Sequence, residues 1–328
     1  MKVTVAGGGI VGLTCAWWLV EAGHDVRVYD PRPGQGATFA AAGMVAPAGE
    51  AWFGEEPLLR LGLASAALWP DFAQRLGVRF ERTGTVLAGR DSSDVAVLQR
   101  SVELLRSLGQ TVGMAAEPTL SDRICGTAFL PDDGVVNPRE VTAALLRLLG
   151  DRVVRTVAPD ADLLLCCTGA DAHPVIHRVR GEILRVRADD PPSHVIRGLV
   201  HGDPVYVVPR GHGELVIGAT SESHPGPPVV TVGGIARLLN SARSLLPSLE
   251  TAEVLEALAR DRPCTPDNGP LVGFLSDREV IAAGHYRGGV LLAPITAAAV
   301  LALIEGGEPP PEIRPFHPNR FRQETLLV

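Results

Sequence analysis

The sequence predicts an α/β protein: a domain with a doubly wound parallel sheet, joined to an α+β domain built on an antiparallel sheet. Three observations carry that prediction. The first residues form one strand–helix–strand unit around a glycine turn, from Lys2 to Asp30. The run Ala161 to Ala170 is continuously apolar, as in a parallel strand buried on both faces, and its end at Thr168-Gly169 faces the crevice where such sheets bind ligands. The runs Gly181 to Val186, Val205 to Val208 and Glu214 to Ala219 are separated only by turns, which suits antiparallel pairing.

The opening unit reads Lys2 to Ala6 as strand, Gly7-Gly8-Gly9-Ile10-Val11-Gly12 as turn, Leu13 to Ala22 as helix and Asp25 to Tyr29 as a second strand. This is the dinucleotide fingerprint in its required context, a Rossmann-like βαβ unit. Gly7 permits the tight turn, Gly9 leaves the backbone open to a pyrophosphate, and Gly12 lets the helix pack on the strand. The free N–H groups and dipole of that helix N-terminus, from Ile10 and Val11 onward, favour the phosphates. Asp30 closes the second strand, where an acid accepts hydrogen bonds from ribose hydroxyls. An acid there disfavours a 2′-phosphate, which points to FAD or NAD rather than NADP.

Pro31 to Thr38 is a loop by composition. Phe39 to Pro47 is small and apolar, suited either to a flat group lying against backbone or to tight helix packing. Trp52 to Leu76 has helical spacing, Phe80 to Leu87 reads as a strand and Val95 to Leu108 as an amphipathic helix. These elements break the βαβ alternation and read as an inserted domain. Pro131 to Gly134 is a turn. Asn137 caps a helix with Pro138 at its first position, and Arg139 to Leu149 continues it. A short strand, Arg152 to Val157, follows. Ile235 to Leu246 is a helix ended by Pro247, Val280 to Gly284 a strand and Pro294 to Ile304 the last helix, with a proline-rich tail expected to wrap the surface.

At 328 residues and 46% hydrophobic content the chain can bury two cores. A net charge of −7 without a basic block argues against nucleic acid as partner. No apolar run reaches membrane-spanning length, and the apolar N-terminus reads as the first strand rather than a signal peptide; the cysteine usage leads us to expect a cytoplasmic location. Cys15, Cys125, Cys166, Cys167 and Cys264 match no metal spacing and read as reduced, buried thiols. The histidines show no ligand spacing either, so no metal is expected.

Gly36-Ala37-Thr38-Phe39-Ala40-Ala41-Ala42-Gly43-Met44 resembles the D-amino-acid oxidase superfamily of flavoproteins, and most of all its glycine oxidase branch, the thiamine-pathway type. Three further stretches share the resemblance: Tyr206 to Arg210 running to Ile217-Gly218-Ala219-Thr220, then Arg262 to Asp267, then Gly284 to Thr296. The resemblance implies FAD, bound non-covalently, in a Rossmann-like domain of D-amino-acid oxidase type. That domain would be assembled from residues 1–50, 132–177 and 260–328, with residues 51–131 and 178–259 forming the substrate domain. It implies cofactor contacts from Gly7, Gly9, Ile10, Val11, Gly12, Asp30, Thr38, Ala41, Ala42, Gly43, Met44, Val157, Thr168, Gly169, Arg287, Gly288, Gly289 and Val290. Reduced flavin carries negative charge near N1 and O2, which the helix beginning at Pro294 and the Gly288-Gly289 amides can stabilise.

The implied reaction is hydride transfer from the α-carbon of an amine to flavin N5. The imine then hydrolyses to a 2-oxo acid and ammonia, and dioxygen reoxidises the flavin to give hydrogen peroxide. A neutral amine can lose hydride without a protein base. A carboxylate substrate calls for a guanidinium. Arg262 matches the family's carboxylate-binding arginine, Tyr206 the tyrosine that supports it, and Arg287 lies at the flavin end in either a cofactor or a substrate role. Ser221, followed by Glu222, stands where the glycine oxidase branch carries a bulky apolar residue, which widens the expected substrates to other small amino acids and secondary amines. A second departure is the short span from Gly150 to Ala161, where the family inserts a three-stranded meander. Two rival readings remain at this stage: a dehydrogenase passing electrons to a partner, and a non-catalytic binding protein. Homo-oligomerisation is a family expectation.

Overall fold

The computed structural model describes residues 1–156, 160–223 and 226–321. In chain order its elements are β1 (Lys2–Ala6), α1 (Ile10–Glu21), β2 (Asp25–Tyr29), α2 (Ala37–Ala40), β3 (Met44–Val45), α3 (Glu56–Leu76), β4 (Phe80–Glu81), β5 (Thr85–Gly89), α4 (Ser92–Ser107), β6 (Gly126–Leu130), β7 (Gly134–Val136), α5 (Pro138–Leu149), β8 (Val153–Val154) and β9 (Leu163–Cys166). Then follow β10 (His177–Arg187), β11 (Val195–Val200), β12 (Asp203–Pro209), β13 (Glu214–Gly218), α6 (Val232–Leu245), β14 (Glu253–Cys264), β15 (Leu271–Ser276), β16 (Glu279–Ala283) and α7 (Ala293–Ile304).

The first sheet has the order β15-β16-β9-β1-β2-β8. All its neighbours are parallel except β15 with β16. Its faces need cover, and α1, α5 and α7 supply it. α1 and α7 are apolar almost all round, so both are sunk in the core with Leu13, Leu19, Ala297 and Val300. α3 belongs to this core too. Leu61, Trp69, Phe72 and Leu76 pack there, and the Ser65 hydroxyl and Trp69 indole N–H both donate to the Leu291 carbonyl, at 2.6 and 2.9 Å. The sequence reading placed this helix in the substrate domain, because its neighbours in sequence break the βαβ alternation.

The second sheet has the order β14-β10-β13-β12-β11-β5-β6 and is antiparallel apart from β5 beside β11. One face packs on α6 through Leu238, Ala242 and Leu245. The other meets the alanine-rich segment, where Ala40, Ala42 and Met44 pack with Ile183, Val195, Tyr206 and Val216. A small sheet, β3-β7-β4, closes the join. Strands β10 and β14 run as one long antiparallel pair, so positions 177 and 260 both fall inside this sheet.

Several local expectations are corrected. Phe80 to Leu87 is two strands in different sheets, β4 and β5. Gly84 between them has φ +70° and its Cα lies against the Phe129 ring, a conformation and a space that only glycine fits. The Ala161–Ala170 run forms strand only over Leu163–Cys166, and Leu164 is exposed. Cys125 is exposed and Cys166 half-buried, so only Cys15, Cys167 and Cys264 fit the buried-thiol reading; all five are free. The strand Arg152 to Val157 is Val153–Val154, paired with β2, and Val157 lies outside the described residues, as does His224. Among the described residues no meander stands between β8 and β9. The tail does return to the surface of the first core, burying Ile313 and Phe316. No described helix is long and apolar enough to cross a membrane.

Candidate active site

A cavity of about 1120 Å³ runs from the glycine turn after β1 to the inner face of the second sheet. Gly7, Gly9, Ile10, Val11, Gly12, Asp30, Thr38, Ala41, Ala42, Gly43, Met44, Thr168, Gly169, Arg287, Gly288, Gly289 and Val290 all line it, as do Arg262 and Tyr206.

The glycine end is shaped by backbone. Gly7 has φ +108°, and a Cβ on it would overlap the Cys167 carbonyl oxygen; one on Gly12 would overlap the carbonyl oxygen of Gly7. Strand, helix and β9 therefore meet at van der Waals distance only because these positions lack side chains. Gly9 differs, since an added Cβ there would meet only the Thr38 hydroxyl, at 3.5 Å, and at Gly36 it would meet nothing within 4 Å. Bare backbone faces the cavity at both. The Ile10 amide donates to the Thr38 hydroxyl at 3.2 Å, tying the start of α1 to the alanine-rich segment. Asp30 accepts from the Gly8 amide at 2.7 Å and, through its other oxygen, from the Arg32 amide at 2.7 Å. Gly8, which the fingerprint leaves unassigned, sits against Asp30 and Pro33, where a Cβ would lie 3.0 and 2.9 Å from theirs.

The middle of the cavity is walled by residues 41–44 on one side and 288–292 on the other. Gly43 has φ +73° and no room for a Cβ beside the Val136 carbonyl. The stretch 288–292 leads directly into α7, with Pro294 in its first turn. His285 beneath it is buried and touches the Thr296 hydroxyl at 3.0 Å. Burial pushes its pKa down to about 4, so it stays neutral in ordinary conditions.

At the far end Arg262 on β14 and Tyr206 on β12 reach toward each other across the two intervening strands. Each crosses a glycine: a Cβ on Gly181 would overlap the Arg262 guanidinium, and one on Gly218 would overlap the Tyr206 phenol. Arg262 Nη1 donates to the Thr220 carbonyl at 3.1 Å. Burial pushes the Tyr206 pKa up, against the nearby Arg262 charge, so its hydroxyl keeps its proton. Glu50 also lines this end. It pairs with Arg197 through Oε1, and its Oε2 lies 3.5 Å from Arg287 Nε. Behind Arg197, Asp133 is 1% exposed with neither oxygen in hydrogen-bonding geometry. Burial pushes its pKa up to about 7, against Thr85, Arg197 and the Gly49 amide.

Ser221 is exposed and does not line the cavity; Glu222 beside it pairs with Arg237 on α6. Cys264 is buried beside Asn268 and also lies off the cavity, its thiol pushed up to about 11 chiefly by burial. Among the described residues no group of three or more His, Cys, Asp or Glu could hold a metal ion. The sequence reading missed Gly8, Gly181, Gly218, Glu50 and Asp133. Gly8 and Gly218 carried a signal, the one lying in the glycine turn and the other in a stretch that resembles the family.

Comparison with known proteins places these features in a family. Residues 2–303 match the model of the FAD dependent oxidoreductase family. A Rhizobium etli chain that carries the name thiamine biosynthesis oxidoreductase ThiO is 34% identical over 329 residues, covering 94% of this chain and 98% of that one. The glycine oxidase of Geobacillus kaustophilus is 28% identical over 366 residues, covering 97% of this chain and 96% of the relative. Its crystal structure superposes with a TM-score of 0.88, covering 96% of this chain and 98% of the other.

Proposed function

This chain belongs to the FAD dependent oxidoreductase family, and on that premise we propose that it oxidises glycine or a small amino acid or secondary amine. The products would be an imine, which hydrolyses to a 2-oxo acid and ammonia, and hydrogen peroxide from dioxygen. The observation that carries the reading is the pair Arg262 and Tyr206, converging across Gly181 and Gly218 at the end of the cavity away from the glycine turn.

The residues present fit FAD. Bare backbone at Gly9 and Gly36 and the N-terminus of α1 suit a pyrophosphate. Asp30 spends one lone pair of each oxygen on an amide and keeps the others for ribose hydroxyls. Residues 41–44 and 288–292 would enclose the ring system. Bound there, FAD supplies the acceptor for a hydride from the substrate's α-carbon. Arg262 holds the substrate carboxylate by charge-assisted hydrogen bonds, and the protonated Tyr206 hydroxyl donates to the same group. Together they fix the α-carbon toward the middle of the cavity. His285, neutral and engaged with Thr296, braces the wall rather than exchanging protons. We read residues 1–50, 132–177 and 260–328 as the FAD domain in outline, with the boundaries at 177 and 260 falling inside the β10–β14 pair of the second sheet and α3 packed onto the first core.

The test is anaerobic addition of glycine to the purified, FAD-loaded protein, followed by its visible spectrum. Bleaching of the flavin bands, and peroxide on admitting air, is the expected result. A spectrum unchanged by glycine, sarcosine and small D-amino acids would sink the reading. Bleaching without peroxide would move it to a dehydrogenase.

A further inference from the structure

The substrate end of the cavity holds two guanidiniums, and their surroundings differ. Arg262 has no carboxylate within 4 Å among the described residues. Its Nη1 donates to the backbone carbonyls of Thr220 at 3.1 Å and Arg180 at 3.5 Å, and the guanidinium also meets the Tyr206 hydroxyl. The neighbouring Asp261 is turned away and occupied by Arg180. Arg287 lies 3.5 Å from Glu50, so its charge is already met. Glu50 is held in place by Arg197 on β11, and its Oε2 is buried with no hydrogen-bond partner. That oxygen therefore faces Arg287, while the Glu50 residue itself lines the cavity.

We propose that Glu50 is a specificity-determining residue that restricts the site to acids with a single carboxylate. It neutralises Arg287 and repels a second anionic group, which leaves Arg262 as the uncompensated cation. A like charge placed against another in a desolvated site is strongly disfavoured. A guanidinium freed of its partner would in turn grip a second carboxylate. Glu50 thus selects the substrate class by charge, in addition to whatever selection size imposes. The inference deepens the amine-oxidase reading and rests on it for the natural substrate. The sorting of acids is a property of binding and is tested without turnover.

The FAD-loaded protein is titrated with acetate and with malonate, and the shift of the flavin absorption bands gives both dissociation constants. In the wild type acetate is favoured. In Glu50→Gln the ratio moves toward malonate by about tenfold or more. Glu50→Asp, which keeps the charge, keeps the wild-type preference. In Glu50→Gln with Arg287→Gln the gain for malonate disappears. An unchanged ratio in Glu50→Gln, or a gain that survives loss of Arg287, overturns the proposal. Should Glu50→Gln fail to hold FAD, Arg287→Met alone decides. With Glu50 then uncancelled, both acids weaken and malonate weakens more; equal affinities to the wild type overturn the proposal. If glycine fails to bleach the flavin while the acids sort as described, only the amine-oxidase reading falls.

Discussion

The two ends of the cavity are built from different material. At the glycine end the shape is backbone, and its critical residues lie close together in sequence: Gly7, Gly8, Gly9, Gly12 and Asp30. At the substrate end the shape is side chain, and its members come from five separate places: Glu50, Gly181, Tyr206, Gly218 and Arg262. At Gly7, Gly8 and Gly12 an added atom would strike a neighbouring strand or turn, whereas Gly9 leaves its backbone open to the cavity. A side-chain site loses a contact when mutated and otherwise stands. Mutations at the first end should therefore remove the cofactor and stability together, and mutations at the second should spare both.

The largest expected effect is at Gly12. A single methyl there meets the Gly7 carbonyl, and neither backbone can move without parting α1 from β1. Gly12→Ala should cost more than about 3 kcal/mol, the upper part of the range for overpacking. The protein should purify colourless, with a lowered Tm. A yellow Gly12→Ala protein of normal Tm would show that the turn is slack and would erase the contrast between the ends.

Next comes Arg262→Met, which keeps length and removes charge. Loss of hydrogen bonds to a charged partner removes about 2–3 kcal/mol, or roughly 100-fold in KM for an amino-acid substrate. The flavin spectrum and Tm should match the wild type, because Arg262 pairs with no carboxylate among the described residues and meets two backbone carbonyls and the Tyr206 hydroxyl. An unchanged KM would transfer the carboxylate to Arg287.

The same contrast explains what could be read from the sequence. The βαβ unit was legible because all its determinants fall within thirty residues and each has a local reason: turn, close approach, cap. The antiparallel sheet was legible as a class, and three of its strands as elements. β14 was not read as a strand: the charges in Glu253 to Cys264 obscure its period, and it becomes a strand by pairing with β10 along nearly its whole length. Glu50 gave no sign in the sequence because its role depends on Arg197 and Arg287, both far away in the chain. Gly181 was hidden for the same reason: its partner is a guanidinium on another strand. Arg262 and Tyr206 were found only through the family resemblance, since no local pattern separates them from other arginines and tyrosines.

Asp133 sharpens the comparison from the side of stability. It holds its proton in the folded chain up to about pH 7, whereas its ordinary value is 3.8. A carboxyl whose pKa is raised by folding leaves stability intact below the unfolded value and withdraws it as pH rises through the folded one. Between pH 5 and pH 7 this amounts to about 2 kcal/mol. Asp133→Asn should remove that slope in urea unfolding at the two pH values, with the greater gain at pH 7. A slope identical to the wild type would mean that the carboxyl is ionised behind Arg197.

The smallest effect expected is at Tyr206. Its hydroxyl is one donor to a carboxylate that Arg262 already holds, and burial keeps it protonated. Tyr206→Phe keeps the ring over Gly218, so packing survives. One hydrogen bond is lost, about 1 kcal/mol, or about fivefold in KM. The wild type should show that advantage at neutral pH and lose it only in strong alkali, above the ordinary range of a phenol, where the hydroxyl ionises and repels the carboxylate. Tyr206→Phe should lack that alkaline limb. If instead Tyr206→Phe lowers kcat and leaves KM alone, the hydroxyl acts on the reacting α-carbon or amine rather than on the carboxylate. The division of the cavity into a binding end and a reacting middle would then have to be redrawn around Tyr206.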